Sequence, residues 1–423
     1  MRKPPTLTFA AILLLSAFVV RSEESPAPEE LLPPHEGKDA YFPDAAFGMD
    51  VFFVVWQAGR IAEGSLVWGK GDPVGVGDIV GCRLDKAGKP LEARPFVVSA
   101  AADLQEKPRA AYGQDVFLVV WQDLRNGKDY DVYAARVSPE GKLLDADGLL
   151  VAGGERNQAN PVAAFDGSNF WVVWQDFRSG KYAVHGARVS PSGKVLDAGG
   201  VILGDSGRSA FHRITPAVSS LGDGQSVVFW VAQSTAPGQG EPSGGCFVRD
   251  GKIEKTFPFK GHHYAAPANP AALAVGPKGF TVLWRNNAAV GRATPSRNAN
   301  GAFFTPDGEK EPSDEKGTKG AFRVGGNIAD PAVVWNGRSF TAAWHEALGE
   351  KKSFPVDVVR LTTISDEGKP SGIIHEVSGT RDSPACGAAV ASDGAGVTLV
   401  VYEKHPDKGD VPVKVGARVF SIK

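Results

Sequence analysis

The chain has 423 residues, including 51 Gly, 30 Pro, 9 Trp and 3 Cys, and its 46 Lys and Arg nearly balance 48 Asp and Glu for a net charge of −2. That balance gives no reason to expect nucleic acid as a partner. Gly and Pro punctuate many short Val- and Phe-rich runs, and no long stretch carries a 3.6-residue apolar period, so the composition points to an all-β chain in which helix is scarce.

The first residues stand apart. Arg2 and Lys3 precede the apolar stretch Leu7–Val20, and the acidic, Pro-rich SEESPAPEE follows. This is the layout of a secretory signal over residues 1–22 with residues 23–30 as a linker, and the apolar stretch is short for a membrane span. Val20 and Ser22 mark a cleavage site only weakly, which leaves an uncleaved anchor as the alternative. Cleavage after Ser22 removes Arg2, Lys3 and Arg21 and leaves 43 basic against 48 acidic residues, a net charge of −5. The expectation is a secreted or periplasmic protein with no integral membrane domain beyond that segment.

From about Tyr41 onward one unit repeats. Apolar runs end in Trp56, Trp121, Trp174, Trp230, Trp284, Trp344 and Tyr402, at intervals of 65, 53, 56, 54, 60 and 58 residues. Within blade three, the unit reads as four strands: the segment from Pro161, FWVVW from Phe170, VHGARVS from Val184 and VILGD from Val201. Turn signals at Asp166-Gly167, Ser192-Gly193 and Gly199-Gly200 separate them. Four short antiparallel strands in each of seven units predict a single seven-bladed β-propeller over residues 31–423. The second strand does not alternate polar and apolar, because a blade is packed by neighbours on both faces. The last unit stops after its third strand. LLPPHEG from Leu31 aligns with the fourth-strand segment LLVAGGE from Leu149, so an N-terminal strand at about residues 31–34 is expected to complete the last blade and remove two sheet edges. Three cysteines leave at least one unpaired; Cys82 and Cys246 occupy the position of Ala135 and Ala187 inside strands of separate blades and read as buried free thiols.

The unit F-x-V-V-W-Q-D-x-R followed by A/G-A-R-V-S-P-x-G-K resembles repeats of secreted bacterial β-propeller proteins, strongly in blades two and three and loosely elsewhere. The resemblance implies fold and export but no reaction, since propellers host many activities and many plain scaffolds. The Asp-box of sialidases is absent from the positions where a blade would carry it.

Repeated polar residues read as architecture. Asp123 with Arg125, and Asp176 with Arg178, are placed to cap a turn and bridge to a neighbouring blade, and catalysis would need such groups once. The Asp- and Asn-rich stretch from Asp123 to Asp131 is interrupted by Arg125 and Lys128 and is not read as a calcium loop. Departures from the repeat are more informative. Where blades one to three carry Gln57, Gln122 and Gln175, later blades read Ala232, Arg285, His345 and Glu403; at the next position Asp123 and Asp176 give way to Gln233, Asn286, Glu346 and Lys404. Loops between blades add His212 and Arg213, His262, His263 and Tyr264, and Arg381 with Asp382 on the same face. Candidate ligand-binding residues are therefore His212, His263, Tyr264, Arg285, His345, Glu346, Arg381 and Glu403. A metal set from His212, one of His262 and His263, His345 and Glu403 is conceivable, but no metal or other cofactor is expected. Long insertions after the second strand, Ala58–Asp78 in blade one with Trp68 and Arg285–Gly301 in blade five, are places where binding usually resides. The expected function is binding or scaffolding, with a protein or carbohydrate ligand at the loop face. The alternative is a carbohydrate-active hydrolase or lyase with a His/Arg/Glu site at the mouth.

Overall fold

In the computed structural model, the described residues are 26–59, 77–205, 211–234, 243–259, 271–288, 296–309, 321–326, 328–348, 356–380, 383–406 and 411–422. They form seven four-stranded antiparallel sheets, the blades of a seven-bladed β-propeller. The inner strands are Ala40–Gly48, Gln105–Gly113, Gln158–Phe165, Phe211–Gly222, Ala272–Gly276, Ile328–Trp335 and Ala385–Ser392. Each touches the inner strand of the next blade, and blade seven touches blade one, so the inner strands surround the axis and the ring is closed. The second strands, Val51–Gly59, Val116–Asp123, Phe170–Asp176, Gln225–Ser234, Gly279–Ala288, Phe340–Leu348 and Val397–Lys404, hold the largest fully buried side chains, among them Trp56, Trp121, Trp174, Trp344 and Tyr402.

The core is distributed. Among the described residues, six of the seven main apolar clusters lie between two neighbouring blades, and the one between blades four and five also takes in Phe177 and Tyr182 of blade three. Alternate residues of one strand serve opposite sides: Val119 and Trp121 pack toward blade one, while Leu118 and Val120 pack toward blade three. Both faces of a second strand are thus interior, which is why its sequence is continuously apolar. Cys82 and Cys246 sit in this core opposite Val54 and Val228, the register of Ala135 and Ala187, and both are free and buried. Burial pushes each thiol up to about 12, so neither is a nucleophile near neutral pH.

Two boundaries differ from the sequence reading. The inner strand of blade three starts at Gln158, not Pro161, and Pro161 lies inside a register shift between Ala159 and Val162. The same bulge recurs in blades one, two, four, six and seven. Its first residue has positive φ at Phe42, Lys107, Asn160, Thr215 and Gly387. A proline follows four of these five; it has no N–H for the ladder, and the bulge removes the need for one. The N-terminal strand is Glu30–Leu31, pairing with Ala417 and Gly416 of the third strand of blade seven, Lys414–Ser421, as its outermost strand. Ala27 and Leu32 extend the attachment through Val419 and Val415. Pro33 and Pro34 lie just beyond, where the strand has ended.

In blade five the described ends of the insertion are regular structure. Arg285 to Ala288 pair with Ser296 to Ala299, lengthening a hairpin where an irregular loop was expected. In blade one most of the insertion, including Trp68, lies outside the described residues.

Candidate functional site

In blades one to four, six and seven, antiparallel pairing puts the end of the second strand beside the start of the inner strand, so these positions share one face. Side chains there do three repeated jobs. The glutamine after the tryptophan accepts a hydrogen bond from the bulge N–H of the next blade: Asn160 N to Gln122 Oε1 at 3.1 Å and Thr215 N to Gln175 Oε1 at 3.2 Å. One position later, Asp123 accepts from the Trp121 indole at 2.7 Å and from Arg125, whose guanidinium lies 3.8 Å from the centre of the Tyr133 ring; Asp176 does the same with Trp174 and Arg178. The Asp123 and Asp176 carboxylates also accept the backbone N–H of Arg125 and Arg178, capping the turn, and Arg125 reaches Ser99 in blade one. Burial alone raises a carboxyl such as Asp176, but the hydrogen bonds from Arg178 and Trp174 outweigh it and hold the group below the usual range. Finally, Asn157 Oδ1 accepts the Tyr130 N–H at 3.0 Å across the blade boundary.

Several predicted site residues fall into these jobs. His212 is buried and takes the place of Asn157: its Nδ1 accepts the Tyr182 N–H at 3.0 Å, and its ring packs on Tyr182 and Phe177. Accepting at Nδ1 requires the neutral imidazole, and burial, with Lys181 adding repulsion, holds its pKa below the usual histidine value. Glu346 repeats the role of Asp123, accepting from Trp344 Nε1 at 3.2 Å and from Arg360 at 3.1 Å. The register of blade four places Val231, not Ala232, opposite Ile214 at the glutamine position, because Ile214 immediately precedes the bulge as Ala159 does in blade three. His345 does hold the glutamine position, opposite Ala329, and its Nε2 lies 3.0 Å from Asp357 Oδ1. Arg285 lies opposite Ala299, and its side chain, together with His263, Tyr264 and Arg381 in full, lies outside the described residues.

Blade seven departs furthest. Its aromatic is Tyr402, and Lys404 stands where Asp123 and Asp176 stand. The missing carboxylate comes from the N-terminal segment: Glu29 accepts from the Tyr402 hydroxyl, from Ser378 of blade six and from Lys404, which also donates to Ser378 at 2.7 Å. Lys404 and Glu29 thus reproduce the Arg125–Asp123 clamp with the charges exchanged between elements. Burial raises the Glu29 carboxyl, but those three partners outweigh it and leave its pKa lowered.

At the glutamine position Glu403 keeps the inter-blade bond, its Oε1 accepting from Phe42 N at 2.9 Å. Its second oxygen meets two side chains that sequence reading did not single out. Cys386 Sγ lies 3.4 Å from Glu403 Oε2 and 3.2 Å from His405 Nε2, and His405 Nε2 lies 3.3 Å from the same Oε2. Glu403 is buried, Cys386 half-buried, and the His405 side chain retains 34 % of its exposure. Gly387 makes room: a Cβ there would stand 3.0 Å from Glu403 Oε1, and its φ is +61°. The signal that marks this cluster is again departure from the repeat, since Cys386 stands where other blades have Tyr41, Glu106, Ala159, Ile214 and Ala329, and His405 where they have Gly59, Leu124 and Phe177.

Bulge residues of adjacent blades also meet near the axis. Lys107 Nζ donates to Asn160 Oδ1 at 2.9 Å and lies 5.9 Å from the centre of the Phe42 ring. Burial holds its ammonium below the usual lysine range.

No protein-family model and no curated protein matches this sequence. In fold the chain is similar to a crystal structure of an unknown-function protein from Dyadobacter fermentans, with a TM-score of 0.52 and 11 % identity over 94 % of this chain and 99 % of that one. An α-L-arabinofuranosidase from Fusarium graminearum superposes with a TM-score of 0.47 and 11 % identity, covering 93 % and 96 % of the two chains. An α-L-arabinanase from Penicillium chrysogenum reaches 0.44 at 11 % identity over 74 % and 92 %. Likeness at this identity concerns fold alone; the seven blades are read from this chain's own sheets, and no repeat family is identified.

Proposed function

We propose that this chain is an exported β-propeller that recognises a protein or carbohydrate partner on its loop face, at the mouth formed by blades six and seven. One observation carries the reading. Blades two and three use their mouth-side polar groups to clamp each blade to the next, whereas blades six and seven place ionisable clusters there, His345 with Asp357 and the buried Glu403 with the partly exposed Cys386 and His405. A rigid wall with a chemically distinct sector is what a recognition surface on a propeller needs. The test is a binding screen of the purified mature chain against acidic and neutral polysaccharides and extracellular proteins, repeated with the double variant His345→Gln/Glu403→Gln, which restores the residue of blades one to three. Retention of a partner by the native chain and at least tenfold weaker retention by the variant is expected. Equal retention by both places recognition elsewhere on the ring.

A second reading, a carbohydrate-active hydrolase or lyase, is favoured by the His345–Asp357 pair, since a carboxylate 3.0 Å from an imidazole nitrogen can orient the ring and support general acid-base work. Release of oligosaccharide from an acidic polysaccharide by the native chain, lost in His345→Gln, would select it over simple recognition.

A further inference from the structure

We propose that Cys386, Glu403 and His405 form a three-ligand site for a divalent transition ion of the zinc class. Sγ, Oε2 and Nε2 stand at the corners of a triangle with edges of 3.2, 3.3 and 3.4 Å. Tetrahedral zinc with one sulfur and two lighter ligands requires edges of about 3.3–3.6 Å. The triangle is thus already close to the size of one face of that tetrahedron.

Hydrogen bonding alone accounts for the cluster poorly. The thiol and Nε2 together supply at most two protons for three close edges, so at least one edge is left without a proton to bridge it. A nucleophilic relay fits less well still, because a catalytic imidazole must take the thiol proton at one ring nitrogen while a carboxylate orients the other. Here thiol and carboxylate converge on the same nitrogen, Nε2. A cation inside the triangle satisfies all three lone pairs at once.

The supporting shell is built. Glu403 is oriented by Phe42 N on its other oxygen. His405 is fixed through its backbone, its N–H donating to Pro384 O at 2.9 Å and its carbonyl accepting from Ser383 at 3.1 Å. Such second contacts orient ligands and tune the affinity of metal sites. On binding, the Cys386 proton leaves to solvent, and the ion gains a thiolate, a carboxylate and a neutral imidazole, which offset its two charges. Three protein ligands with partial exposure leave a fourth position for water or for a donor atom of a bound partner, the pattern of reactive and not of structural zinc sites. This inference stands independently of the partner reading above.

The experiment uses the tag-free mature chain, treated with chelator and then titrated with zinc by calorimetry and with cobalt by absorption. One ion per chain is expected, with the thiolate-to-cobalt charge-transfer band and the intense visible bands of a tetrahedral site. Zinc should also protect Cys386 from alkylation read by mass spectrometry, a clean readout because Cys82 and Cys246 are buried. Cys386→Ala, which installs the residue of blades three and six, should weaken zinc binding by more than about 100-fold while leaving the thermal melt of the metal-free chain in place. Absence of a stoichiometric ion overturns the proposal. So does unchanged affinity in Cys386→Ala, and so does Cys386 alkylation that zinc does not slow, which would instead mark a free nucleophilic thiol.

Discussion

Blades two and three and blade seven are built from the same unit, yet they use its polar positions differently. In blades two and three, Gln122, Asp123, Gln175 and Asp176 are spent on neighbours and on their own tryptophans. In blade seven, Glu403 keeps the inter-blade bond with one oxygen and turns the other toward Cys386 and His405, while the half-buried clamp is rebuilt by Glu29 from the N-terminal segment. Blade seven is the one completed by the N-terminal strand, so part of its clamp arrives from outside its own repeat. The lesson is that residue identity at a repeated position says less than which of its atoms are already engaged.

The largest stability effects belong to the wall. Trp174→Ala should cost about 3–5 kcal/mol in urea unfolding, because it empties the cluster between blades two and three and leaves Asp176 with one partner fewer. A loss under 1 kcal/mol would mean that the aromatic-tipped strands do not carry the fold.

Closure is next. Glu29→Gln should cost about 1–3 kcal/mol at neutral pH, since it leaves Lys404, Ser378 and the Tyr402 hydroxyl facing a neutral amide. With the folded-state pKa of Glu29 lowered, its contribution is fully present above the ordinary glutamate pKa and is lost as pH falls through the lowered folded value. Melts of variant and native protein should therefore converge in acid. A constant gap down to the acid limit would show that Glu29 acts through packing.

His212→Asn is the finer probe, because Asn157 already does this job in blade three. Near pH 8 the change should fall within about 0.5 kcal/mol. The folded imidazole has a lowered pKa, so the native protein loses stability as pH falls from about 6.5 through the folded value, and the variant should gain on it there. No crossover between pH 8 and pH 5 would mean that His212 does not need its neutral form.

Much of the fold was legible because the unit is copied: seven aromatic anchors, turn glycines and the missing last strand sufficed for blade number, strand order and ring closure. What escaped was local. The bulge at Asn160-Pro161 hid three residues of inner strand, since proline reads as a strand start when its role is to sit where no ladder bond is made. The blade-four register slipped by one for want of that bulge as a marker. At the site, Glu403, His345 and Glu346 were legible as departures, but their roles were not: Glu346 completes a tryptophan clamp, and Glu403 divides its two oxygens between clamp and cluster. Cys386 and His405 lie 17 and 2 residues from Glu403, and only pairing of the two strands brings them to one point.

One paired measurement separates the wall from the working blade. The triple variant Cys386→Ala/Glu403→Gln/His405→Leu rewrites blade seven with the residues of blades two and three, and Asp176→Asn weakens the wall; each is assayed for unfolding free energy and zinc stoichiometry. The triple variant should keep native stability within about 1 kcal/mol and lose the ion, and Asp176→Asn should lose about 1–3 kcal/mol of stability and keep it. A triple variant that unfolds like Asp176→Asn, or that still binds one zinc per chain, would contradict that separation.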